Sequence, residues 1–148
     1  MTTITQSVTV NRPVEEVWDF ISDFGNATRW SQGVLEARQT SDGPLGVGST
    51  LQTVVRAFGR RRTADYLVTE YEPRHAFAFE VASGPMTSRA RYSVEPVGAG
   101  TRLTASGEAE ATGLYRLLAP ILVRVLERHS EEDLANVKRI LEASVAAS

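Results

Sequence analysis

Three side chains near the C-terminus have types and spacing suited to proton transfer: His129, Asp133 and Asn136. Steps of four and three bring them to neighbouring positions along one side of a helix. A carboxylate that orients an imidazole at the edge of a cavity makes a general base for an acidic C–H or O–H. The same spacing also describes an ordinary pair along a helix rim. A second group comes from predicted strands. Arg56, Tyr66 and Tyr92 fall on predicted inward parities, with Gln52 and Val54 in the file of Arg56 and Glu70 in the file of Tyr66. An inward Arg56 can grip a carboxylate or phenolate through two parallel hydrogen bonds. On a mis-phased strand it would be a surface arginine. Tyr92 can donate a hydrogen bond to an enolate-like oxygen, or it can be a core tyrosine with its hydroxyl satisfied.

Composition narrows the chemistry further. The 148 residues contain no cysteine and two histidines, His75 and His129. Thiolate chemistry, disulfides and thiolate metal sites are therefore excluded, and a His-rich metal site is not expected. No cofactor is called for. Of the sixteen basic residues, Lys138 is the single lysine, so a Schiff-base mechanism would have to rest on it. The net charge of −2 offers no electrostatic reason to expect nucleic acid. The run Arg60-Arg61-Arg62 sits at a predicted hairpin tip and reads as a solvated turn. No apolar run reaches the roughly 18–20 residues of a membrane span, and no basic-then-apolar leader opens the chain. The expectation is a cytoplasmic protein of one domain, residues 1–148, large enough to bury about two-thirds of its unfolded surface.

The elements that must position these residues follow from periodicity. Residues 2–10 alternate, with Ile4, Val8 and Val10 on one face, which predicts a strand. Asn11 is a candidate helix cap, and Val14, Val17, Trp18 and Ile21 mark one face of a short helix. A second, broken helical stretch follows from Asp23 to Trp30. Turn residues then punctuate strands near 34–41, 49–58, 62–71, 75–82, 87–96 and 101–111. Turns at 83–86 and 97–100 place Phe79 opposite Ala90, Glu80 opposite Arg89, Ala90 opposite Gly107 and Tyr92 opposite Ala105. One face then holds Phe77, Phe79, Tyr92, Ala105 and Gly107, and the other holds the ladder Glu80–Arg89–Glu108. After Gly113 the period becomes helical, with Leu114, Leu118, Ile121, Leu122, Val125, Leu126, Leu134, Val137, Ile140 and Leu141 in one stripe. A helix from Pro120 to Ala146 would be about 40 Å long at about 1.5 Å per residue. Helices segregated from an antiparallel sheet make this α+β. The segment Gly43–Thr50 has the spacing of a phosphate-binding loop but carries Ser49 where that loop needs lysine, and a strand pattern follows it. It reads as a connection.

The stretch Val8–Trp30, VTVNRPVEEVWDFISDFGNATRW, resembles the opening of the START/Bet v1-like (helix-grip) superfamily, and more narrowly its polyketide cyclase/dehydrase and lipid-transport family. GVGST at 46–50, VTEYEPRHAFAFEV at 68–81, GAGTRLT at 98–104 and LANVKRILE at 134–142 fit in order. The resemblance implies a seven-stranded antiparallel sheet curved around the last helix, with an apolar cavity between them. It implies a lipid- or polyketide-like ligand, and in some members cyclisation or aromatisation. It carries no catalytic motif, only a location: inward strand positions and the inner face of the last helix. On this sequence the lining would be Trp30, Val54, Arg56, Tyr66, Phe77, Phe79, Ser88, Ala90, Tyr92, Ala105 and Gly107, with Leu118, Leu122, Val125 and His129 from the helix. His129, Tyr92 and Arg56 are the candidates for catalysis. A closed interior would point instead to an interaction module or half of a homodimer.

Overall fold

The computed structural model describes residues 2–31, 33–57, 59–83, 86–111, 117 and 119–146. Strand β1 (Thr2–Val10) leads into α1 (Val14–Ser22), a 3-10 turn (Phe24–Asn26) and α2 (Ala27–Trp30). Six strands follow: β2 (Val34–Gln39), β3 (Thr50–Ala57), β4 (Arg60–Glu72), β5 (Ala76–Ser83), β6 (Met86–Val97) and β7 (Gly100–Ala111). Helix α3 (Ala119–Ala146) closes the chain. The strands form one antiparallel sheet in the order β1-β7-β6-β5-β4-β3-β2. This is the helix-grip arrangement.

Register is where sequence and structure agree most closely. Phe79 pairs with Ala90, Glu80 with Arg89, Ala90 with Gly107 and Tyr92 with Ala105. Arg89 and Glu80 meet across the outer face at 3.6 Å. The phase of two other strands differs from expectation. In β3 the buried file is Leu51 and Thr53, so Gln52, Val54 and Arg56 belong to the outer file. Gln52 instead links Arg38 and Asp65 on that outer face. In β4 the pairing with β5 slips between Val68 and Glu70. A bulge there inserts one residue, and every side chain beyond it changes face. Glu70 is thereby turned outward, where Arg91 binds both its carboxylate oxygens at 2.9 and 3.3 Å. Tyr71 comes inward in its place and packs against the core.

The core gathers α1, the inward residues of β1, β6 and β7, and the second half of α3. Val10, Val17, Leu103 and Val137 are wholly buried, with Trp18, Ile21, Leu134 and Leu141 around them. Helix α1 begins at Val14 with Pro13 as its N-cap, and Asn11 makes no side-chain cap there. The backbone N–H of Asn11 donates to Glu142 Oε2 instead, at 2.9 Å. Lys138 Nζ completes a clasp, reaching Glu142 Oε2 and the carbonyl of Thr9, each at 2.7 Å. Sheet edges expose unpaired backbone groups; here α3 covers the β1 edge and satisfies part of it. The helix is phased by Leu134, Val137 and Leu141, so Ile121 and Val125, placed on its buried stripe by periodicity, are exposed.

Gly100 shows how tightly β7 meets the end of β1. A Cβ at this position would lie 2.7 Å from the carbonyl oxygen of Val10, whereas one at Gly46 would meet nothing. Gly100→Ala is expected to destabilise the fold by about 1–3 kcal/mol, and Gly46→Ala to be neutral or slightly stabilising. Urea unfolding midpoints of the two variants check the contrast.

Candidate functional site

The inward face of the sheet carries a continuous wall of rings. Phe77 and Phe79 stack at 6.0 Å between centroids, and Phe77 stacks on Tyr92 at 5.3 Å. Tyr66 meets Phe79 edge-on at 5.1 Å, and Phe24 meets Tyr66 at 5.3 Å. Trp18 adds its ring from α1, T-shaped on Phe77. Trp30 adds its ring from the end of α2, T-shaped on Tyr92 at 5.7 Å. Edge-to-face and offset contacts suit the quadrupoles of such rings. Beside this wall β6 and β7 present small inward residues, Ser88, Ala90, Ala105 and Gly107. The mismatch leaves a hollow of about 150 Å³, bounded by Ile4, Ser88, Tyr92, Ala105 and Gly107 of the sheet and Ser130 of α3. Arg89, Ser106 and Glu108 complete its rim. A wider groove of about 380 Å³ lies where α3 crosses the β1 edge, among Gln6, Ser7, Glu131, Lys138, Arg139 and Glu142. Val8, Leu134 and Ala135 line it too, but it also carries the charged side chains of Glu131, Lys138, Arg139 and Glu142 and is shared with the Lys138–Glu142 clasp, so it is the poorer place for an apolar ligand.

Next to the wall, where Trp30 ends α2, polar bonds join α2 to α3. Ser31 Oγ donates to Asp133 Oδ2 at 3.2 Å, and Asn136 Nδ2 donates to the carbonyl of Trp30 at 3.1 Å. Trp30 is buried, and its indole N–H is the one buried side-chain polar atom among the described residues that has no partner. Leaving such a donor unpaired costs about 1–3 kcal/mol, which a bound acceptor would recover. Tyr66 lies deeper in the wall and accepts a hydrogen bond from Thr53 Oγ1 at 3.1 Å. Burial raises the pKa of Tyr66, and the Thr53 bond offsets part of that rise. Burial raises Tyr92 strongly, and the negative charge of Asp133 and then Tyr66 add to it. Both phenols are thus held as neutral donors.

The structure brings together part of the expected lining and disperses the rest. Trp30, Tyr66, Phe77, Phe79 and Tyr92 share the wall, and Ser88, Tyr92, Ala105 and Gly107 border the hollow. Ala90 lies between Phe79 and Gly107 in register. Val54 and Arg56 are on the other face, because the inward file of β3 is the odd one. His129 is exposed, and so is Val125, because the phase set by Leu134, Val137 and Leu141 swings both to the helix flank. Asp133, expected to orient His129, accepts a hydrogen bond from Ser31. Leu118 and the side chain of Leu122 lie outside the described residues. Sequence reasoning missed Ser130 and Ile4 on the hollow and Ser31 at the α2–α3 contact. Ser130 stands one turn before Asp133, a spacing that could have found it. Ser31 belongs to no periodic segment and gave no signal.

A family model described as polyketide cyclase / dehydrase and lipid transport matches residues 1–142. No curated protein sequence matches. Among solved structures the chain is similar to TTHA0849 from Thermus thermophilus, at 16% identity and a TM-score of 0.79, over 97% of this chain and 99% of that one. It is similar to the aromatase/cyclase Zhui from Streptomyces sp. R1128, at 18% identity and a TM-score of 0.79, over 97% of this chain and 95% of that one. It is also similar to Ara h 8.0201, at 9% identity and a TM-score of 0.75, over 96% of this chain and 98% of that one. Identities this low establish the shared fold.

The raised phenol of Tyr92 has a consequence for stability. Its ordinary value is 10.0, and the folded chain holds the proton beyond that pH. Above it the unfolded chain releases a proton that the folded chain keeps, so the contribution is full below about pH 10 and is lost as pH rises, by up to about 1.4 kcal/mol per pH unit. Tyr92→Phe is expected to show a shallower alkaline decline than the parent. Urea midpoints measured at about pH 8 and about pH 11 give the comparison; equal declines would contradict this account of Tyr92.

Proposed function

The chain belongs to the polyketide cyclase / dehydrase and lipid transport family, and on that premise we propose that it binds an apolar, ring-containing small molecule between the sheet and α3. The observation that carries this reading is the hollow of about 150 Å³ at the junction of the aromatic wall with the small residues of β6 and β7. A cavity of that size takes roughly one benzene-sized ring. Burying about 120 Å² of such a ring at about 25 cal/mol per Å² provides about 3 kcal/mol before any polar contact. Tyr92, Ser88 and Ser130 border the space with hydroxyls, the few convergent polar groups that orient a ligand in an apolar site.

One observation favours a second reading, a cofactor-free cyclase or dehydrase. Tyr92 borders the hollow and keeps its phenol protonated, which suits it to donate a hydrogen bond to a carbonyl that gains negative charge. His129 is not the base in this reading, because its side chain is exposed.

Ser130→Phe places a ring into the hollow from the helix side and is expected to weaken binding of a single-ring probe, 4-methylbenzamide, at least tenfold. Arg56→Ala and His129→Ala are expected to leave it within about twofold. Ligand-detected NMR titration, with circular dichroism as the check on folding, measures all three. Undiminished binding by Ser130→Phe would place the ligand elsewhere. Native mass spectrometry of the protein purified from its own host, looking for a retained small molecule, tests occupancy directly.

A further inference from the structure

The hairpin that joins β3 to β4 ends in a concentration of positive charge. Arg60, Arg61 and Arg62 open β4, and the pairing sets Arg61 directly opposite Arg56. The phase of β3 thus widens the basic run of the turn into a patch of four arginines. All four are exposed, and none has an ion pair among the described residues. Glu36, opposite Val54 on the neighbouring strand, stands diagonal to Arg56 without an ion pair to it. Asp65 lies about 13 Å from Arg61 along β4 and accepts from Gln52. Like charges directly opposite one another repel, so the hairpin gains nothing from the Arg56–Arg61 pair by itself.

An exposed apolar surface lies toward the same end of the sheet. Met86 pairs with both Ser83 and Ala111, so the β5–β6 turn and the end of β7 share that end. Asp65 pairs with both Gln52 and Ala82, which carries the β3–β4 hairpin beyond them. Helix α3 meets Asn11 at Glu142, Thr9 at Lys138 and the hollow beside Ile4 at Ser130. Its first two turns therefore lie toward the start of β1, where Thr2 pairs with Ala109. On those turns Ile121 is 62% and Val125 39% exposed, and Leu117 just ahead of the helix is 80% exposed. At about 100° per residue Ile121 stands about 160° around the helix from buried Val137, so it faces away from the core. Exposed Arg124 and Arg128 follow Ile121 on that outward side, while Glu127 lies further round and Glu131 and Glu132 come later. An anionic bilayer fits both features: apolar side chains enter the acyl boundary and arginines reach the headgroups. Nucleic acid would use the arginines and leave the apolar residues in water. A second copy packed on this stretch about a two-fold axis would bring like-charged arginines together. We propose that the β3–β4 hairpin tip and the first turns of α3 form one face that docks peripherally on an anionic lipid bilayer. No helix of the described residues is long and apolar enough to cross that bilayer. Docking of this kind is independent of what the hollow holds.

Co-sedimentation with vesicles of phosphatidylcholine, alone or with about 30% phosphatidylserine, tests the docking face. In about 0.05 M salt the parent is expected to partition roughly tenfold or more in favour of the phosphatidylserine vesicles, and to lose most of that preference in about 0.5 M salt. The double variant Arg56→Ser, Arg61→Ser is expected to bind them about tenfold more weakly. Ile121→Ser is expected to bind them at least about threefold more weakly. Arg74→Ser, on the exposed β4–β5 turn at the opposite end of the sheet, is expected to stay within about twofold of the parent. Circular dichroism checks folding, and Arg60→Ser with Arg62→Ser replaces the first double variant if that one does not fold. Equal partition of the parent onto both vesicle types, or undiminished binding by the double variant, would overturn the proposal. Undiminished binding by Ile121→Ser would remove α3 from the face and overturn it in this form. Tighter binding of the parent to a single-stranded DNA probe than to the vesicles would assign the arginines to nucleic acid instead.

Discussion

A mismatch of side-chain size across three strands holds this molecule's interior together. The register sets Phe79 beside Ala90 beside Gly107, and Phe77 beside Tyr92 beside Ala105. Each file therefore runs from a large ring on β5 to a small residue on β7. Shifting one strand by a single residue would bring Glu80, Arg89 or Glu108 inside, and an uncompensated buried charge costs far more than any gain in packing could return. The rings, the hollow and the outer charge ladder thus share one cause. The helices depend on it as well. Trp18 of α1 rests on Phe77 and Tyr71, and Trp30 of α2 rests on Tyr92.

Helix α3 is fixed in rotation as well as position. Leu134, Val137 and Leu141 enter the core, while polar contacts mark both flanks of that face. Asp133 and Asn136 hold the end of α2, and Lys138 and Glu142 hold the end of β1. Rotating the helix enough to bring His129 inward would draw Leu134 and Leu141 out of the core and break both sets of contacts. The contact of Asp133 with Ser31 is therefore a property of the fold, and the exposure of His129 follows from the same rotation.

Much of this was legible in the sequence, for reasons that differ by element. The β5–β6–β7 register could be read because short turns fix pairing and the apolar and charged residues of those strands alternate cleanly. The boundaries of α3 could be read because a helical period replaces a two-residue one after Gly113. The phase of β3 could not. Leu51, Thr53 and Val55 alternate with Gln52, Val54 and Arg56, so each file holds an apolar residue and the pattern is nearly symmetric. Glu70 was misplaced because a bulge leaves no compositional mark here. His129 was misplaced because the stripe running through Ile121 and Val125 is out of phase with the one through Leu134, Val137 and Leu141. Only packing decides between two such stripes.

The chemistry available inside follows from which groups ended up there. Burial holds the proton on Tyr66 and Tyr92, so these phenols donate hydrogen bonds and are poor bases. Imidazole is absent from the wall, since His129 is exposed. The carboxylate of Asp133 accepts from Ser31 at the α2–α3 contact. Tyr92 borders the hollow, where its hydroxyl can donate a hydrogen bond to a ligand oxygen. With Ser130 bordering it from the helix, hydroxyls stand on opposite elements, β6 and α3, across the gap between the layers. A ligand that bridges this gap can be both held and polarised. One that lies flat against the ring wall is only held.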